Sequence, residues 1–314
     1  MLVGTLTLHL QRSVRVPDGR VPTNLPPSLG RASPYKVVDY RTTCPMGWED
    51  KGSFIGLHDK EAMWISFHAQ HPVAVLVGAG GVNAITGEKL GTTLAEGNYL
   101  VTPPQPWLDG WKATDGSVYQ FVAARFEAGK GITVGEQILG EESESGGIRI
   151  GVFEPKDPGS LHIHEYPTEG YGPSAYGDVI YWNKMSLHPI PTVVCCASLG
   201  VESGPLARAI EMGLGKGGRI VQKIYEDPHG IEAWCAEPSA TAAIYLVNAE
   251  SFHTITGQPL PPAPLDASMY QGPWFGLLDT EKHDIAGSEA FTGLQSVFTD
   301  PGVSKQPPTE QETI

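Results

Sequence analysis

The sequence predicts a mainly β protein, β-rich α+β in class, made of two sandwich- or barrel-like modules with few short helices. Three observations lead there. Charged residues are only 18% of the chain while glycine (38) and proline (27) are abundant, a balance that favours short strands and turns over long charged helices. The apolar residues fall in short runs that alternate with period two or are rich in β-branched residues. The chain also matches itself at an offset of 170 positions, where 64–90 and 234–260 share 8 identities in 27 positions without a gap. These pair Trp64 with Trp234, Leu76-Val77 with Leu246-Val247 and Ile85-Thr86-Gly87 with Ile255-Thr256-Gly257, the sign of an internal duplication.

Taken in order, residues 2–16 place Leu2, Leu6, Leu8, Leu10, Val14 and Val16 on one parity and mostly polar residues on the other. This predicts a half-buried strand in which Arg12, breaking the pattern, marks a bulge. Proline-rich 17–34 reads as a packed loop, and a strand is expected over 35–40. Strands follow from Met63 to Phe67 and over 72–77. Gly78 to Gly81 ends the second, and Ile85-Thr86-Gly87-Glu88 supplies a tight turn. Further strands are predicted at 99–101, 118–126, 132–134 and 148–153, with a loop over 103–111. The first module then spans 1–155, followed by a Pro/Gly linker at 155–159.

In the second module, 156–300, strands are expected at 178–182, 192–197, 219–225 and 242–247. A helix over 205–212 has Pro205 in its first turn and Gly213 at its end. A second short helix over 288–298 starts from a Ser288 cap. The segment 301–314 reads as a disordered tail.

A formal charge of -14 and a sequence pI near 5.1 repel phosphate backbones and anionic lipid, which argues against nucleic-acid and membrane partners. The start has no basic region before an apolar run, and no stretch approaches the ~20 apolar residues that span a bilayer. A soluble cytoplasmic protein is the expectation. Four cysteines in a chain of this size do not make a disulfide scaffold. Vicinal Cys195 and Cys196, inside an apolar run, read as buried reduced thiols on a strand.

Two constellations could carry function. The first is Gln105, Trp107, Asp109 and Trp111 in the proline-rich loop, since sugar sites pair aromatic faces with carboxylates and amides. The plainer alternative is that Trp107 plugs a core, and its echo at Trp274 without the acid favours that alternative. The second is His162-Ile163-His164 with Glu169 four residues beyond, and His188 as a fourth ligand. Alternate histidines on a strand share a face, and imidazole with carboxylate suits a divalent transition metal.

That spacing resembles the first motif of the cupin family, although seven residues rather than six separate Glu169 from Gly177, and no Asn follows His188 at the second-motif spacing. The resemblance covers about thirty of the 314 residues and implies a metal-dependent enzyme. The G-x-G-x-x-G of 213–218 reads instead as a helix cap and loop, because a strand rather than a helix follows it. The expected function is therefore a binding or assembly protein for a small molecule or glycan, with self-association a candidate and a cupin-like metalloenzyme the alternative.

Overall fold

The structure, a computed structural model, describes residues 1–19, 21–161, 211–263 and 284–298. The fold is mostly β, with only two short α-helices among the described residues. The chain opens with β1 (Leu2–Val3) and β2 (Leu6–Ser13), paired antiparallel across Gly4. Gly4 holds φ 59°, the left-handed region in which a side chain is strained. This hairpin corrects the single strand expected over 2–16. Parity resets at the turn, so Leu2 is 71% exposed while Leu6, Leu8 and Leu10 lie in the core. Next come β3 (Ser28–Ala32) and β4 (Tyr35–Lys36), the latter passing into a 3-10 turn at Val37–Tyr40 instead of continuing extended. The expected bulge is present, as the β2–β3 pairing shifts register between Gln11 and Ser13. Arg12 is accommodated there by the buried Glu61 carboxylate and by the carbonyl of Pro262 at 3.0 Å.

The remaining strands of the first half are β5 (Ser53–Gly56), β6 (Ala62–His68), β7 (Val73–Ala79), β8 (Val82–Asn83), β9 (Leu100–Thr102), β10 (Trp107–Leu108), β11 (Gly110–Lys112), β12 (Val118–Arg125) and β13 (Ile148–Phe153). Between the last two lies α1 (Val134–Leu139), where a strand was expected. Thr133 and Glu136 form a reciprocal capping box, which outweighs the β-branched run. The Glu136 carboxylate also accepts from the amides of Glu127 (2.6 Å), Gly129 (3.3 Å) and Gly131 (3.1 Å), so the loop before α1 is wound around one acid. Beyond it come β14 (Glu211–Ile220), β15 (Ala240–Val247) and α2 (Ala249–Thr256).

All fifteen strands of the described residues join one sheet along the path β1-β2-β6-β12-β14-β15-β13-β7-β8, with the other strands attached at its sides. The sheet is antiparallel except where β5 runs parallel to β15. β6 and β7 are four residues apart in sequence, yet β12, β14, β15 and β13 lie between them along the hydrogen-bonded path. A short connection can join such distant strands only if the sheet curls back on itself. One apolar core accordingly takes Leu8 from β2, Ile65 from β6, Phe121 from β12, Leu214 from β14, Ile244 from β15 and Val75 from β7.

Strands from 1–155 and from 156–300 alternate in this sheet: β12 pairs with β14, and β13 lies between β7 and β15. The 170-residue register sets strand β7 on strand β15, and the elements that follow them differ. Gly87 sits in a loop after β8, held by its amide to the Asn83 carbonyl at 3.0 Å, while Gly257 is the left-handed C-cap of α2. Both glycines hold φ 72° and each donates its amide to the carbonyl four residues back, so the two turns share a local geometry, while a full helix precedes only the second.

The glycine-rich 213–218 is a further correction. It lies within β14, buried in the middle of the sheet, and Met212 is likewise strand instead of helix. The glycines are there for close approach: a Cβ on Gly213 would lie 2.7 Å from Thr133 Cγ2, and one on Gly218 would lie 2.3 Å from the Pro17 carbonyl oxygen. Backbone cannot move aside as a side chain can. Gly218→Ala is expected to lower stability by about 1–3 kcal/mol, measured by urea unfolding; an unchanged midpoint would show that Pro17 yields freely. At the other end of the chain, Ser288 does cap a turn, through Ala290 N at 3.2 Å, but only the 3-10 stretch Glu289–Phe291 forms.

Candidate functional site

The 103–111 stretch is not an open loop. β10 pairs with β6 and β11 pairs with β12, so the segment is sewn into the sheet on two sides. Gly110 lets it in, since a Cβ there would stand 1.8 Å from the Tyr119 carbonyl oxygen. Trp111 is fully buried, donates Nε1–H to the Gly215 carbonyl at 3.3 Å, and meets Phe121 edge-on at 5.0 Å and Phe291 at 5.5 Å. It is the core plug that the sequence suggested for Trp107, and it has no surface to offer a ligand.

Gln105 and Asp109 are buried as well, in a polar network reaching across to 222–225. Gln105 donates to the carbonyls of Trp107 (2.8 Å) and Lys223 (3.2 Å) and accepts from the Tyr225 amide (2.8 Å). The Asp109 carboxyl accepts from Gln222 Nε2 at 2.8 Å, and the Asp109 amide donates back to Gln222 Oε1 at 2.9 Å. Burial pushes the Asp109 carboxyl up to about 8, against a lowering hydrogen bond from the Trp107 side chain. It is therefore mostly protonated at neutral pH, a group that holds Trp107 from behind.

Beside this network lies a buried ion pair. Lys112 Nζ reaches Asp284 at 2.6 and 2.7 Å and the Gly116 carbonyl at 3.1 Å. Burial lowers the lysine's pKa and Asp284 opposes that shift. Lys112 is thereby committed to fastening the 284 segment against β11.

Of the four residues, only Trp107 is half exposed. It packs on Val16, Leu25, Val118 and Ile220, and its ring lies 6.3 Å from Trp64 at 63°. Trp64 is also half exposed, and its Nε1–H is buried without a hydrogen-bond partner. The register explains the pairing. Met63, Ile65 and Phe67 of β6 face the core, so Trp64, Ser66 and His68 face outward. Trp107 opposes Ser66 and Gln11 opposes Trp64 on that same outer face. In the sequence Trp64 stood out only as a landmark of the internal repeat, although a tryptophan on the polar parity of an alternating strand also marks an outward-facing ring.

His162, His164, Glu169 and His188 lie outside the described residues, as do Cys195, Cys196 and Trp274. Among the described residues no group of three or more His, Cys, Asp and Glu side chains could hold a metal ion. Cys44 is a free thiol inside the aromatic cluster of Trp48, Phe54 and Tyr245, and burial pushes it up to about 11. Such a thiol is unreactive. No helix among the described residues is long and apolar enough to cross a membrane. No family model, curated protein or solved structure matches the chain.

Proposed function

We propose that this chain is a non-catalytic binding protein that takes a ring-shaped, polyhydroxylated ligand, a glycan first, on the outer face of β6 and β10. The observation that carries the reading is the half-exposed Trp64–Trp107 pair on the outer face of the sheet. Indole faces stack on the apolar side of a sugar ring. In this reading Gln105, Asp109 and Gln222 do not touch the ligand; they fix the backbone of β10 and so the pose of Trp107.

Tryptophan fluorescence titration across a set of oligosaccharides is the test. Trp107→Ala is expected to weaken the responding glycan at least tenfold, about the 1.4 kcal/mol that corresponds to a tenfold change in affinity. Its far-UV circular dichroism should match the wild type. No response from any glycan at millimolar concentration would end the reading. The alternative, a metalloenzyme built on His162, His164, Glu169 and His188, is supported by spacing alone. A stoichiometric transition metal, lost in a His162→Ala/His164→Ala variant, would put it in first place.

A further inference from the structure

The Trp64–Trp107 face continues into a cluster of nitrogen-bearing side chains that the sequence scatters. In the β2–β6 pairing Thr7 opposes His68, His9 opposes Ser66 and Gln11 opposes Trp64; in the β2–β3 pairing Gln11 opposes Arg31. Directly opposed residues share a face of the sheet, with side chains about 5 Å apart, and diagonal neighbours stand about 7–8 Å apart. His9 is therefore a diagonal neighbour of Arg31 on one side and of His68 on the other, on the outer face that carries Trp64. Arg31 and His68 are exposed and His9 is half exposed. Among the described residues no carboxylate pairs with Arg31. In a chain of net charge -14 this is a local reversal of sign.

The geometry points to an acidic sugar as the ligand: a pyranose stacked on Trp64 and Trp107, with its carboxylate held by Arg31 and by the His9 imidazole beside it. The inference rests on the glycan reading of that face and adds the charge of the ligand. An Arg–carboxylate pair with two parallel hydrogen bonds gives direction as well as attraction. Placed beside the stacking pair, it fixes which edge of the ring points along β2.

The same cluster makes binding sensitive to pH. His9 is lowered to about 4, first by burial, then by the charges of Arg31, the Met1 amino group and His68; no carboxylate is among the groups acting on it. Unliganded His9 is neutral at pH 7. A bound carboxylate would favour its charged form, so binding takes up a proton, and by linkage affinity rises as pH falls from 7 toward 4.

The experiment is a fluorescence titration of the full chain with an oligosaccharide of hexuronic acid and with the matching neutral hexose oligosaccharide. The uronide is expected to bind roughly tenfold more tightly, as a charge-assisted hydrogen bond implies. Arg31→Gln should abolish that preference and leave the neutral sugar unchanged. His9→Gln should flatten the pH dependence between 4 and 7 without removing binding. Equal affinity for the two sugars, or a uronide preference that survives Arg31→Gln, overturns the inference while the glycan reading of the face stands. Silence with both sugars overturns the two together.

Discussion

A Lys112→Met protein is expected to unfold at much lower denaturant than the wild type, with a stability loss of about 3–5 kcal/mol, the cost of removing one partner from a buried ion pair. The Lys112 side chain has no exposure and that of Asp284 has 19%, so water cannot replace the ammonium fully. The variant leaves a largely buried carboxylate, still accepting from Ile224 N at 2.9 Å, with nothing to balance its charge. It also strands the Gly116 carbonyl. Domain stabilities are only ~5–15 kcal/mol, so the loss takes a large share of the total. Pairing the change with Asp284→Asn should restore part of it, because the charge then disappears from both sides. A shift below ~1 kcal/mol in the single variant would mean that Asp284 is solvated in solution.

Asp109→Asn is expected to act in the opposite direction, by an amount that grows as pH rises from 4 to 8. The folded-state carboxyl sits near pH 8 instead of its usual 3.8 because burial opposes its ionisation. Between those two values the unfolded chain has lost a proton that the folded chain keeps. Stability is therefore greatest below pH 4 and falls as pH rises through 8, by about 1.4 kcal/mol per unit at most. Asparagine cannot ionise, yet its carbonyl can still accept from Gln222 Nε2. Urea midpoints at pH 4, 6, 8 and 9 should diverge, with the variant more stable by several kcal/mol at pH 9 and close to the wild type at pH 4. Parallel curves would show that the carboxyl is ionised, with a counter-ion, in the fold.

Much of the strand content was legible because alternation survives inspection: Ala62–His68, Val73–Ala79, Val118–Arg125, Ile148–Phe153 and Ala240–Val247 fall within a few residues of the expected runs. The errors have physical causes. At 132–134 a capping box outweighed β propensity, and in 211–218 glycine was read as punctuation when it was admitting a neighbour's backbone. For the candidate site, the sequence singled out the segment holding Trp107, but composition cannot distinguish an indole that plugs a core from one that faces out. Trp107 and Trp111 differ by four residues and by opposite fates, set by which strands β10 and β11 join.

By itself, the sequence determined the β-rich class, most strand positions, the bulge at Arg12 and a net charge of -14, because each depends on local periodicity or on a sum over residues. Only the tertiary structure decided that strands of both halves interleave in one curled sheet, that Lys112 meets Asp284, and that Trp64, His9, Arg31 and His68 share a face with Trp107. Those are facts of register between strands far apart in the chain. A one-residue slip would turn every such side chain to the other face, and register is set by the packing of the whole core.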